Sequence, residues 1–127
     1  MGEQPRAIPR PQWIERHDTP GMIRGEAIAT DQLWAGVVET DPAMTSGWHH
    51  HDDYETVVFV LSGGLRIDFG DQGRQSVSAG VGEFLHIPRR TVHRESNTTS
   101  ETSRAVVVRA GEGVPVVNVA GPDVPIA

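Results

Sequence analysis

The sequence contains no cysteine and no lysine, and all 11 of its basic residues are arginine. Without thiols, disulfides, zinc ribbons, iron–sulfur clusters and thiolate nucleophiles are excluded, so any metal must rest on imidazole, carboxylate or water. Without lysine there is no Schiff-base or lysine-base chemistry. No run of about 18 apolar residues occurs, and residues 1–10 lack the apolar core of a secretory signal. A cytoplasmic protein with no membrane partner is the resulting expectation. The 11 basic residues do not cluster, and against 17 acidic ones they leave a formal net charge of −6. Such a chain cannot neutralise a row of phosphates, which argues against a nucleic-acid partner.

What is present in quantity is chain punctuation. The 14 glycines and 9 prolines recur at short intervals, leaving no uninterrupted helical stripe of about 12 residues. Strands are predicted over Met22–Ile28, Leu33–Thr40, Thr56–Leu61, Leu65–Phe69, Gln75–Ser78, Glu83–Ile87, Val92–Glu95, Ala105–Arg109 and Val114–Val119. Turn-forming residues separate them, among them Asp41-Pro42, Ser62-Gly63-Gly64, Gly80-Val81-Gly82 and Asn97-Thr98-Thr99. Many short strands at this spacing predict an all-β sandwich, barrel or jelly roll. A length of 127 residues fits one domain, 1–127, with extended arms at about 1–20 and 112–127 that pack on the barrel or on a neighbour.

Chemistry-bearing residues concentrate within 47–97. In Gly47-Trp48-His49-His50-His51 the alternate positions His49 and His51 fall on one strand face, which sets two imidazoles side by side. Glu55 has the same parity and brings a carboxylate to that point, unless a turn within Asp52–Tyr54 breaks the alternation. The second stretch, Gly82 to Asn97, carries His86, Pro88, His93 and Asn97. A histidine two residues before a proline in an apolar strand is more often packed in the core than a ligand, with contact to substrate as the functional alternative. Arg24, Arg66 and Arg94 read as surface ion partners, one of which could instead enter the pocket to hold a substrate carboxylate. Val57 to Leu61 is apolar on both faces, so something must cover its outer side.

Taken together, the two stretches resemble the motifs of the cupin superfamily. The first family motif is a glycine, several residues, His-x-His, three or four residues, Glu, and then a further glycine, for which Gly63 stands in this sequence. The second is a glycine, five residues, Pro-x-Gly, two residues, His, three residues, and Asn. Gly82, Pro88, His93 and Asn97 stand at the second motif's spacings. The resemblance implies a double-stranded β-helix, or jelly-roll barrel, with His49, His51, Glu55 and His93 around a divalent transition metal: iron, manganese, nickel, copper or zinc. Two departures bear on this. Arg90 takes the place of the second motif's glycine, so the turn before His93 needs another way to hold its conformation. Seven residues, Thr56 to Ser62, separate Glu55 from Gly63 where the family has six. Either a bulge absorbs the extra residue and Glu55 reaches the metal, or Thr56 faces in and the site is histidine-only, with His50 in reserve.

Three or four protein ligands leave coordination positions for a chelating substrate and dioxygen. The resemblance therefore implies a small-molecule dioxygenase acting on an enolisable or phenolic substrate, with Glu55 and His86 as the candidate catalytic groups. The alternatives are a redox-neutral isomerase, cyclase or lyase, and a non-catalytic ligand-binding protein. A homodimer is expected from the apolar outer face of Val57–Leu61.

Overall fold

The computed structural model describes residues 4–126; the outermost parts of the two arms, residues 1–3 and 127, lie outside that range. Eleven strands form in chain order: β1 (Ile14–Arg16), β2 (Met22–Ala29), β3 (Leu33–Thr40), β4 (His49–His50), β5 (Glu55–Ser62), β6 (Gly64–Phe69), β7 (Gln75–Gly80), β8 (Phe84–Ile87), β9 (His93–Ser96), β10 (Ser103–Ala110) and β11 (Val117–Asn118). They pair antiparallel into a six-stranded sheet ordered β1-β2-β3-β10-β5-β8 and a five-stranded sheet ordered β11-β4-β9-β6-β7. This is the all-β architecture expected from the punctuated sequence, in the double-stranded β-helix form that the cupin resemblance implies. Two short strands, β1 and β4, have too few residues for alternation to reveal them. Among the described residues no helix is long and apolar enough to cross a membrane.

The core fills the space between the sheets. Val58 and Val60 of β5, Leu65 and Ile67 of β6, Leu85 and Ile87 of β8, and Ala105 and Val107 of β10 all point inward and are buried. The alternation of their core-facing apolar residues is what a sheet with one face on the core requires. On β5 it sends Thr56 inward and Glu55 outward. The extra residue of β5 is indeed absorbed by a bulge, but at Leu61, where the pairing steps from Ala105↔Val60 to Arg104↔Ser62. That is the far end of the strand from Glu55, so the bulge cannot turn this carboxylate inward.

Both arms, as far as they are described, pack on their own barrel. The Trp13 indole donates to the Ile8 carbonyl and lies against Gly25, where a Cβ would stand 3.0 Å from the ring. The C-terminal arm adds β11 beside β4 and continues with Val119 N–H donating to the Trp48 carbonyl. Neither arm covers β5: Val57, Leu61 and, on neighbouring β8, Phe84 remain exposed, with the Phe59 and Phe84 rings 4.8 Å apart.

Candidate metal centre

β4 and β9 are paired so that His49 lies directly opposite His93. His51 follows His49 on the same side, and the three rings close on one another with centroid separations of 4.4, 4.9 and 5.1 Å. Glu95, two residues beyond His93 on β9, projects to the same point. Its Oε1 lies 3.2 Å from His93 Nε2 and 3.5 Å from His49 Nε2. One donor atom from each of these four buried residues fits within a 4.8 Å span, an arrangement that could hold a metal ion.

The backbone fixes which ring nitrogens face inward. His49 Nδ1–H donates to the Gly47 carbonyl at 3.0 Å, His51 to Pro115 at 2.7 Å and His93 to Thr91 at 2.8 Å. With each Nδ1 tied down, the Nε2 lone pairs are left to converge beside Glu95, the tautomer and orientation that a metal-binding histidine needs. The C-terminal arm takes part in this, since Pro115 belongs to it. His49 Nε2 is buried with no hydrogen-bond partner. Burial alone would push the Glu95 carboxyl up, but the His49 and His93 imidazoles beside it outweigh that and hold the group well below the usual carboxylate range. An anion at this depth requires positive charge beside it. Burial disfavours supplying that charge as imidazolium, pushing His49 down and His51 well below the ordinary histidine value. Arg24 and Arg109 act on the carboxylate from one side, and at the converging imidazoles the three nitrogens and one carboxylate are a donor set that fits a divalent metal.

The structure thus brings together His49, His51 and His93 but not Glu55. The chain turns sharply after His51, with Asp52 at φ 54° and Tyr54 N–H donating to the His51 carbonyl, and this resets the alternation. Glu55 ends on the outer face, where its carboxylate meets His86 Nε2 at 2.8 Å. Both side chains are about half exposed, so the two candidate catalytic residues stand outside the barrel. His86 is therefore neither in the core nor near the metal centre, because β8 turns Leu85 and Ile87 inward and Phe84 and His86 outward. Thr56 does face in, and its hydroxyl is buried without a partner. The carboxylate of the cluster comes from β9, not β5, so the set is not histidine-only. His50, the reserve, points away and accepts a hydrogen bond from Asp52 N–H at 2.9 Å through Nδ1.

The surrounding residues hold this geometry. Arg90 adopts φ 56°, the left-handed conformation that the family places on glycine. Its N–H donates to the Asp52 carbonyl, and its guanidinium lies 3.5 Å from Asp53 and 3.8 Å from Asp52. Asn97 is fully engaged: its amide donates to the carbonyls of Thr40, Asp41 and Glu101, and its carbonyl oxygen accepts from Thr99 N–H and Oγ1. Arg66 and Arg94 both pair with Asp68, as surface ion partners do. Arg24 does not, for it is buried inside the barrel, where it is joined by Arg109.

Comparison with known proteins places these features in context. The model of the cupin domain family matches residues 36–109. An uncharacterized protein of Bacillus subtilis, YdbB, is 36% identical over 67 residues, which is 53% of this chain and 58% of that protein. The polyketide cyclase RemF from Streptomyces resistomycificus superposes with a TM-score of 0.71 at 25% identity, over 91% of this chain and 86% of RemF. An uncharacterized protein with a double-stranded β-helix domain from Klebsiella pneumoniae gives a TM-score of 0.71 at 17% identity, covering 91% and 97%.

Proposed function

Because the chain belongs to the cupin domain family, we propose that it is a metal-dependent enzyme acting on a small enolisable or phenolic organic molecule, with dioxygen as co-substrate. The observation that carries this reading is the convergence of three Nε2 atoms and one ionised carboxylate at a buried point. His49, His51, His93 and Glu95 would hold the ion, and this nitrogen and oxygen donor set suits iron, manganese, nickel, copper or zinc. When bound, such an ion supplies Lewis acidity toward an oxygen donor of the substrate and, if redox-active, electron exchange with dioxygen.

The chain's own residues supply the rest. Glu95 is the carboxylate placed to accept a proton from an enol entering the cluster, a role that Glu55 cannot fill from the outer face. The unpartnered Thr56 hydroxyl can donate to an oxygen atom of the same substrate. The inward apolar residues of β5, β6, β8 and β10 keep bulk water from the site. Elemental analysis of purified protein, followed by oxygen-electrode measurements with enolisable and catechol-like compounds, tests the reading. About one transition metal per chain and substrate-dependent oxygen uptake are expected; a protein that takes up no metal removes its basis.

A second reading is favoured by the likeness to RemF: a redox-neutral cyclisation or isomerisation in which a bound ion would supply Lewis acidity toward a carbonyl and Glu95 would move the proton. Turnover that proceeds equally under argon, with no labelled oxygen in the product, selects it. We further propose that a second copy of the chain covers the exposed outer face of β5 and β8, giving a homodimer.

A further inference from the structure

We propose that Arg24 and Arg109 form an anion-binding subsite beside the metal centre, so that the substrate is a small organic acid whose carboxylate these two guanidinium groups hold. The inference rests on the site reading above and specifies its substrate class. Arg24 of β2 and Arg109 of β10 lie on the inward faces of adjoining parts of the six-stranded sheet and are only 1% and 2% exposed. Buried arginines are normally matched by carboxylates with most of their N–H groups engaged. These two are not. Arg24 donates through Nη1 to Thr19 Oγ1 at 2.8 Å and otherwise reaches only the Met22 sulfur, leaving Nε without a partner. Arg109 lies 4.4 Å over the Trp34 ring, and its Nε and Nη1 have no partner.

The charge balance points the same way. Among the described residues the buried carboxylates are Asp68, already paired with Arg66 and Arg94, and Glu95, engaged by His49 and His93. The one buried carboxylate that acts on both guanidinium groups is thus committed elsewhere, and the other, Asp18, is exposed. Burial first, then repulsion from Arg24, pushes the Arg109 guanidinium down to about 9 despite the pull of Glu95, Tyr54 and Asp18. The group is therefore charged at neutral pH, with donors pointing at nothing.

Open space borders both side chains. Arg24, Arg109 and Trp34 line a cavity of about 250 Å³ that opens past Arg16, Asp18 and Glu26. Of the two carboxylates there, Glu26 is taken up by the Trp34 indole and by Arg16, and Asp18 is at the exposed rim. On their other side the same two arginines, with His51, Thr56 and Glu95, enclose only about 10 Å³. The planar fork of each guanidinium suits a carboxylate geometrically.

The test is calorimetric titration of malonate, with neutral malonamide and inorganic phosphate as comparisons, into metal-free and zinc-loaded protein. Malonate should bind both forms, quench or shift the fluorescence of Trp34 through its contact with Arg109, and raise the melting temperature. Malonamide should not. Arg109→Met and Arg24→Met should each weaken malonate binding about tenfold or more while retaining zinc by elemental analysis. Methionine leaves a core of similar volume, and circular dichroism checks the fold. Malonate binding that is absent in folded wild type, matched by malonamide, exceeded by phosphate or unchanged in both arginine variants overturns the assignment. Failure of zinc loading with malonate still bound sinks the metal reading and leaves the arginine pair standing.

Discussion

Of the places where a histidine meets a glutamate, one on the outer face and one inside the barrel invite comparison, and the closer of these two contacts is the less consequential. His86 and Glu55 approach to 2.8 Å on the outer face, whereas His93 and Glu95 stand 3.2 Å apart inside the barrel. The outer side chains are 57% and 50% exposed, against 0% and 8% for the inner ones. Water and salt screen the outer pair, so its contribution is about 0–1 kcal/mol. The inner pair has no solvent to fall back on, and each of its donor atoms must find a partner of the right charge. Distance alone does not identify a site; strand parity does, because it decides which face of the sheet a side chain occupies.

The largest expected effect comes from breaking the inner group at its centre. His93→Ala should lose most of the bound metal, with affinity falling by about 100-fold or more, since even changes beyond the ligand shell typically cost about 10–100-fold. Elemental analysis after dialysis against free metal measures it. Glu95→Gln comes next: it keeps the shape but replaces the anion with a neutral amide, and should weaken metal binding by about 10–100-fold while leaving the fold intact. Unchanged occupancy in Glu95→Gln would reduce the inner pair to the same standing as the outer one.

A smaller effect is expected where the outer face meets a partner. Phe84 is 69% exposed, flanks Val57 and Leu61, and has the Phe59 ring beside it. Apolar residues clustered in this way mark an association surface. Light scattering should give a dimer for the wild type and a shift toward monomer for Phe84→Glu, with metal content unchanged. A wild-type monomer at micromolar concentration would leave this face simply exposed and remove the proposed second copy.

Much of this was legible in the sequence, and the gaps have specific causes. Alternation and turn residues gave the long strands, and the parity of His49 and His51 foretold that their rings would share a face. The same rule, applied across the turn at Asp52, misplaced Glu55, because one residue with φ 54° is enough to reset a period of two. Applied to His93-Arg94-Glu95 it would have found Glu95, which lies at the right spacing on a single strand. Residue type alone leaves Arg24 either a surface ion partner or a pocket residue, whereas strand parity decides it: Arg24 shares the inward parity of Met22 on β2, and Arg109 shares that of Ala105 and Val107 on β10. Burial of an unpartnered arginine is what a functional pocket can impose on an otherwise ordinary strand.

The smallest expected effect is also the sharpest test of the comparison. Glu55→Gln removes the charge of the carboxylate that the family motif would place on the metal, so a motif-based reading expects loss of metal and activity. The geometry requires otherwise. Glu55 lies on the outward parity of β5, its neighbour Thr56 occupies the inward position, and the bulge at Leu61 lies too far along the strand to exchange them. The substitution should therefore leave metal occupancy and turnover unchanged and alter stability by no more than about 0.5 kcal/mol, within the range of an exposed pair losing its charge. Elemental analysis, steady-state assay and denaturant unfolding check the three quantities. A fall in occupancy comparable to that of Glu95→Gln would mean that Glu55 reaches the cluster in solution, and the parity argument for β5 would have to be abandoned.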